Sequence, residues 1–554
     1  MAKIQKLQLD SDKLLSVAIE AFDEQNYEKA VLFAKKAIEV KNDIYSIGVL
    51  ATIYEDMGAF GLSKNIMLRE FDKTKDEECL YIVAENLVEE NDFIPVIKYY
   101  RNYKLDLKKI NVSDFSIMNE MFAVSDNDFE VAFPPTDEYL LRMLQVAKAR
   151  TEKGDYLGSN QLLDFRDYSH LEYYGELIKQ KAINYVMLGD LDSLIQYCYT
   201  LIDGKYEAYA RAYLVYCYNQ YGFIGSAKVQ MDRLMEVEIP DDLLIELPKI
   251  LGNTEFNNES LKIADMLVEK QPYSSRMITY RAMLYYIVGD VIGAVKEINR
   301  SESLFDEVVE SYFLKRTIKS GTKWNSVGEM IANIYVKTNV ALDAFASDVK
   351  ERIKDEENAK FFEFCLKCND SFTIGHAISL LRDNYNDDVR KIFDRVLIDC
   401  EVSNSEKLSI IKVIIDNDVD KKINFVLDNY YASYDFNLPD CNANGNLING
   451  YYHALACNFI ASINPSRDAK KIVKKLKLLS AIYEKYPDNF LKSRDEQIIG
   501  ALLCYNNEQG EWYSSTTLLS KFYNLDEEEL ITCNNVLNGM IKDFTGKTGK
   551  NAIF

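Results

Sequence analysis

Histidine is scarce: three residues in 554, at positions 170, 376 and 453. None of His170, His376 and His453 stands beside an acid or a nucleophile in a recognisable motif, so the commonest general base is nearly missing and each is expected to be structural. Proline (9) and glycine (23) are also sparse, which suits a mostly helical chain. No apolar run is long enough to span a bilayer. The opening stretch MAKIQKLQLDSDKLL lacks the apolar core and cleavage site of a secretory signal, and none is expected. Positive charge is in deficit, with 65 Lys and Arg against 87 Asp and Glu, for a net charge of −22. Such a field repels phosphate backbones, attracts basic partners and, most simply, keeps the chain in solution. Nucleic acid is therefore a disfavoured partner. The ten cysteines are scattered rather than framed as a disulfide scaffold, which predicts reduced thiols and a cytoplasmic location.

Few residues look built for chemistry. Cys365 and Cys368 form C-L-K-C, but only His376 and Cys400 lie nearby, short of the second ligand pair a zinc site would want. A redox dithiol would want a βαβ setting. Residues three apart share a helix face, so both thiols are expected in a core. Gly546-Lys547-Thr548 falls short of a phosphate loop, because Ile541 stands where that loop needs its first glycine. Carboxylates are spread everywhere, and no acid–base pair can be picked out. The expectation is a non-enzymatic protein with no metal and no cofactor.

What is present is a period. Ala18, Ala51 and Ala84 recur at a spacing of 33 residues, and their surroundings recur with them. A turn former follows each alanine at Gln25, Gly58 and Asn91, then an aromatic at Tyr27, Phe60 and Phe93, then a small or branched residue at Ala30, Ser63 and Val96. Residues 14–40 show the logic of one unit. Leu14, Val17, Ala18 and Ala21 fall on one helix face, Asp23 to Asn26 is a polar break, and Tyr27, Ala30, Ala34 and Ala37 line a second helix. Ala18 and Ala30 mark the close approach of the pair, where a larger side chain would cost roughly 1–3 kcal/mol. The period returns at Ala147 with Gly154, Tyr156 and Ser159, and at Ala182 with Tyr185, Gly189, Leu191 and Leu194. It continues at Val215 with Tyr218, Gly222, Ile224 and Ala227, before Pro240, and at Ala282 with Tyr285, Gly289, Val291 and Ala294. A degenerate unit holding Ala264 and Leu267 ends before Pro272. A fixed period of this length predicts an all-α solenoid of antiparallel helix pairs, none of which buries its apolar face alone.

Over residues 11–300 the pattern resembles the tetratricopeptide repeat (TPR) family. The second unit reads L-A-x-x-Y-x-x-x-G-x-F-x-x-S, carried by Leu50, Ala51, Tyr54, Gly58, Phe60 and Ser63. The chain departs from the family where Leu14, Ile47 and Leu80 replace its large first-helix aromatic, and across 104–136, where Pro134-Pro135 marks a break. The resemblance implies a curved stack whose first helices line a concave groove for a peptide or partner helix. In the first block the groove positions are Glu55, Asp56, Tyr81, Glu85 and Glu89, an acidic set without the family's Lys, Asn and Arg clamp for a peptide carboxylate. In the second they are Lys148, Lys179, Tyr209, Tyr216, Asn219, Arg276 and Tyr286, with Asn219 placed to hold a peptide backbone.

The expected division is 1–110 and 137–300 as repeat blocks, 111–136 as a break, 301–433 as irregular helical repeats, 434–450 as a linker loop and 451–554 as a C-terminal helical module. Residues 356–382 and 387–430 read as amphipathic helices, and Lys470, Lys471, Lys474, Lys475 and Lys477 as a basic stripe. LLSKFYNLDEEEL, residues 518–530, resembles a helix-turn-helix with its second helix capped by Asp526, but the reading preferred is a plain helical cap, since a solenoid needs a polar-faced end. Two functions are expected from this pattern. One is an interaction scaffold gripping a protein or peptide in the 137–300 groove. The other is a regulator whose solenoid senses a ligand while its C-terminal module touches nucleic acid or transcription machinery. Partner identity and oligomeric state are not encoded in the pattern.

Overall fold

The computed structural model describes residues 10–90, 92–106, 136–152, 154–164, 167–305, 309–418, 420–439, 441, 445–462, 465–485, 496–504 and 525–545. The described chain is all-α apart from one hairpin. Its elements are α1 Ser11–Asp23, α2 Tyr27–Val40, α3 Ile44–Asp56, α4 Phe60–Thr74, α5 Glu78–Glu89, α6 Phe93–Tyr103, α7 Asp137–Glu152, α8 Tyr156–Leu163, α9 Tyr174–Leu188 and α10 Leu191–Tyr199. Then come α11 Glu207–Gln220, α12 Ile224–Leu234, α13 Asp241–Leu251, α14 Asn257–Lys270, α15 Ser275–Ile287, α16 Val291–Leu304, α17 Val309–Ser320, α18 Val327–Phe345 and α19 Val349–Arg352. The remainder are α20 Glu356–Lys367, α21 Ser371–Asp383, α22 Asp387–Ile398, α23 Asn404–Asn417, β1 Lys422–Leu427, β2 Tyr430–Asp435, α24 Gly445–Ala461, α25 Pro465–Lys485, α26 Glu496–Cys504 and α27 Glu527–Thr545.

Helices pair because the turn residues end one and start the next. Gly58, Gly154, Gly189, Gly222 and Gly289 all take positive φ, between 70° and 92°, and Gln25 does so at 57°. At Gly189 the amide donates to Val186 O and the next amide, of Asp190, to Tyr185 O, both at 3.0 Å, which closes the first helix. The aspartate after the glycine then opens the second. Asp155, Asp190 and Asp290 accept from the amides of Gly158, Ser193 and Gly293 at 2.9, 3.1 and 2.9 Å. Gly-Asp is thus a complete stop–start signal.

The small residues meet as the period requires. Ala18, Ala51, Ala84, Ala147, Ala182, Val215 and Ala282 on first helices are wholly buried, as are Ala30, Ser63, Val96, Ser159, Leu194, Ala227 and Ala294 on second helices. Where the second-helix residue is serine, the following first helix supplies asparagine. Asn86 Nδ2 donates to Ser63 Oγ at 3.0 Å, and Asn184 Nδ2 donates to Ser159 Oγ at 2.8 Å. A buried hydroxyl facing only apolar neighbours would cost about 1–3 kcal/mol, which the amide offsets.

The chain divides into two compact units: 1–114 with 338–554, and 115–337. In the first, α1–α4 bury Ala18, Ala21, Ala30, Val31, Ala34, Leu50, Ile53 and Tyr54 together. The same unit contains residues 338–554, and its join includes polar bonds. Tyr99 on α6 donates to Asn429 O at 3.0 Å and accepts from the Tyr431 amide at 2.9 Å, while Tyr103 donates to Tyr431 O at 3.2 Å. Two tyrosines thereby satisfy an edge of β2 that would otherwise stay open. Lys98, also on α6, is fully buried and donates to the Phe459 and Ile460 carbonyls at the end of α24. An ammonium at a helix C-terminus faces orphan carbonyls and the negative end of the dipole. Burial pulls this lysine below the ordinary range, with Asp428 and Asp92 acting in the opposite sense.

Three expectations are corrected here. Residues 387–430 are not helical throughout: β1 and β2 pair antiparallel from Lys422↔Asp435 to Leu427↔Tyr430. Asp428 and Asn429 take φ of 51° and 56°, the geometry of a two-residue turn that matches strand twist. Residues 434–450 are not one linker loop, since Tyr434 and Asp435 finish β2 and α24 begins at Gly445. The basic stripe is interrupted: Lys475 is 4% exposed on α25, and Lys471 pairs with Asp468 at 3.6 Å.

The second unit contains α7–α17. Its larger core joins Ile178, Ala182, Leu194, Tyr213, Ala227, Leu244 and Leu267, and a smaller one at α7–α9 holds Leu140, Leu144, Ala147 and Leu163. No described helix is long and apolar enough to cross a membrane.

Candidate partner-binding surface

The second unit presents its first helices α7, α9, α11, α13 and α15 in succession. α9 buries seven of its fifteen residues, Ala182 among them. Its accessible residues include Glu176, Lys179, Ile183 and Met187, spaced three and four apart along one face. Ile183 and Met187 are 47% and 56% exposed. On α11 the accessible residues near the C-terminal end include Tyr216 and Asn219, and on α13 Ile245 is exposed. An apolar row rimmed by polar side chains is the composition of an interaction face.

A charged knot ties three of these helices together. Tyr209 on α11 is 4% exposed, and its hydroxyl donates to both carboxylate oxygens of Asp242 on α13, at 2.7 and 2.6 Å. Lys179 on α9 pairs with the same carboxylate at 3.0 Å and with Glu176. Burial works against charge on Asp242, but the bonds from Tyr209 and Lys179 outweigh it and hold the carboxyl below its ordinary range. Burial likewise opposes charge on Lys179, and its bonds to Glu176 and Asp242 leave it raised. Tyr209 is held well above the usual phenol range, first by burial and then by Asp242. The ring lies against Gly175 of α9, where an added Cβ would stand 2.6 Å from the hydroxyl. Glycine at 175 is therefore what lets the tyrosine cross between helices.

The seven nominated residues fall into four settings. Tyr209 and Lys179 sit in this knot. Tyr216 and Asn219 are accessible on α11, with Asn219 Nδ2 donating to Asn253 O at 3.2 Å and its carbonyl oxygen left as an acceptor. Tyr286 donates to Thr322 O at 2.8 Å. Lys148 and Arg276 are exposed and make no ion pair with a described residue. Sequence reasoning passed over Ile183, Met187, Gly175 and Asp242. The first two were legible as apolar residues outside the buried stripe of α9, while Gly175 and Asp242 carry no local signal because their roles depend on the neighbouring helices.

In the first unit Glu55 and Glu85 are half-buried and Glu89 exposed, on α3 and α5. Burial first, then Glu85, Glu89 and Asp56, push Glu55 up to about 7. Burial raises Glu85 as well. Asp56 accepts the Tyr27 hydroxyl, and the Tyr81 hydroxyl accepts from the Asp106 amide at 2.9 Å.

The other chemical candidates belong to other helices. Cys365 and Cys368 are buried, and the Cys368 thiol donates to Cys365 O at 3.2 Å. His376 packs between Asn339 and Asp343, at 2.9 and 3.3 Å. Among the described residues there is no cluster of His, Cys, Asp or Glu suited to a metal. The first helix of the 518–530 pair, the 111–135 break and Gly546-Lys547-Thr548 lie outside the described residues. Within that pair, Asp526 accepts the Glu528 amide at 3.0 Å and opens the 19-residue α27.

No protein-family model matches the sequence, and no curated protein does. Among solved structures the chain is similar to the crystal structure of yeast Tom70, at 13% identity over 97% of this chain and 99% of that one. The TM-score is 0.20, too low for that likeness to carry any argument, and the assignment to an all-α fold of paired helices rests on the helices themselves.

Proposed function

We propose that the chain is a non-enzymatic interaction scaffold that holds an extended peptide or a partner helix against the first-helix faces of residues 137–300. The accessible strip of α9 carries this reading: Ile183 and Met187 stand in solvent one turn apart on the same helix face. Exposed aliphatic side chains in a row on a scaffold helix cost solvation and gain it back on docking. Tyr216 adds an aromatic anchor beside them, and Asn219 a spare carbonyl acceptor for a peptide N–H. The knot of Lys179, Asp242 and Tyr209 fixes the spacing of α9, α11 and α13, so the face is formed before a partner arrives. All ten cysteines are free thiols, which supports a reducing, cytoplasmic setting.

The test is affinity capture from the native host with full-length protein, comparing wild type with Tyr216→Ala/Asn219→Ala and with Ile183→Glu/Met187→Glu. Both variants keep the wild-type circular dichroism and lose the main partner at least tenfold in recovery. Equal recovery by all three proteins would remove the groove from the account.

A further inference from the structure

A cleft of about 90 Å³, open to solvent, lies between α23 and α24 in the first unit, remote in sequence from the proposed partner face. Each wall is a single helix stripe. Leu408, Ile411 and Ile415 supply the α23 side, at the i, i+3, i+7 positions of one face. Ala456 closes the α24 side. Two apolar stripes in this relation normally meet and interlock. Here they stand apart, and Ile411 and Ile415, 4% and 3% exposed, form a floor rather than an open surface.

The mouth is polar and carries an unspent cation. Lys412 lines the cleft from the same stripe, and its exposed ammonium makes no ion pair with a described residue. Its methylene stem extends the apolar wall while the charge stays in water. Across from it, α24 presents the Tyr452 phenol and the His453 ring. Burial, then the carboxylate of Asp416, hold Tyr452 above the ordinary phenol range, so it remains a neutral hydrogen-bond donor at neutral pH. Asp416 is itself exposed one turn beyond Lys412. Its charge disfavours a second anionic group in the occupant, which selects a monocarboxylate over a dicarboxylate.

We propose that this cleft binds a small hydrophobic monocarboxylate, with its chain between the two helix stripes and its carboxylate at the Lys412 ammonium. The floor from Leu408 to Ile415 runs about 10 Å along the helix axis, the scale of a medium-length acyl chain.

Isothermal titration of full-length protein with sodium octanoate tests it, with octylammonium chloride and octanol as matched probes. Octanoate binds saturably at one site per chain, and the other two bind at least tenfold more weakly. Lys412→Glu, a substitution of an exposed side chain, weakens octanoate at least tenfold without shifting the thermal midpoint. Ala456→Trp fills the cleft and removes the binding. The proposal is overturned by absence of a saturable octanoate isotherm, by equal affinity for octylammonium or octanol, or by Lys412→Glu binding as wild type does. None of these results touches the partner face of residues 137–300, so the two readings fail separately.

Discussion

Tyr209 shows how one side chain can set the spacing of a repeat. Its hydroxyl is bound to Asp242 and its ring lies on Gly175, so three helices register on it. Tyr209→Phe leaves the carboxylate with Lys179 alone and is expected to cost about 1–2 kcal/mol in urea unfolding. Gly175→Ala is expected to cost at least as much, because its methyl group meets the hydroxyl rather than open space. Asn184 has a comparable place in the adjoining layer. It bonds Ser159 and Asn160 by its amide nitrogen, at 2.8 Å each, and accepts from Thr151 at 2.6 Å. Asn184→Ala strands these buried groups and is expected to cost about 2–3 kcal/mol by the same measurement. Glu55 provides a pH test. Its carboxyl is raised from 4.5 to about 7 by burial and by neighbouring carboxylates, so the folded state holds its proton more tightly than the unfolded chain. Stability from this group is greatest below about 4.5 and is lost as pH rises through about 7. Glu55→Gln therefore stabilises at pH 8, by on the order of 1 kcal/mol after solvent screening, and has little effect at pH 4. A larger gain at pH 4 than at pH 8 would refute the assignment.

The helix pairs were legible because each is specified locally. Gly-Asp ends one helix and starts another, and one small or aliphatic residue on each partner marks where they cross. The hairpin was missed although its signal is local too. KINFVLDNYYASYD has β-branched and aromatic residues on both sides of Asp428-Asn429, the composition of two strands around a tight turn. In a chain so dominated by helical periods, its apolar run passed for a helix face. The turn residues carry the decision. Asp428→Val places a β-branched side chain at φ 51° and is expected to weaken the first unit by about 1–2 kcal/mol, read as a lower thermal midpoint. Asp428→Gly relieves the same backbone and is expected to lower it less than Asp428→Val does. The pairing of α6 with β2 was not legible at all. Tyr99 and Tyr103 look like ordinary core aromatics in the sequence, and their hydroxyl partners lie more than 300 positions away.

At the scale of the molecule, the first unit is built from both ends of the sequence, and the second from its middle. That division could not be read from periodicity, because repeats reveal neighbours along the chain and not closures between its ends. It makes residues 1–114 dependent on residues 338–554. Lys98 and Tyr99 are fully buried only through their bonds to residues 429–460. A fragment of 1–114 alone is expected to show reduced helicity by circular dichroism, restored on mixing with 338–554. The second unit supplies the free first-helix face on which the functional reading depends, and a photo-crosslinker tests that face most directly. With p-benzoylphenylalanine at position 183 or 216 in the native host, irradiation is expected to join the chain to the same single partner from both positions. The crosslinker at exposed Leu157, on second helix α8, is expected to give none of it. The reading is contradicted if position 157 captures that partner as well as 183 and 216 do, or if the two first-helix positions capture nothing in common.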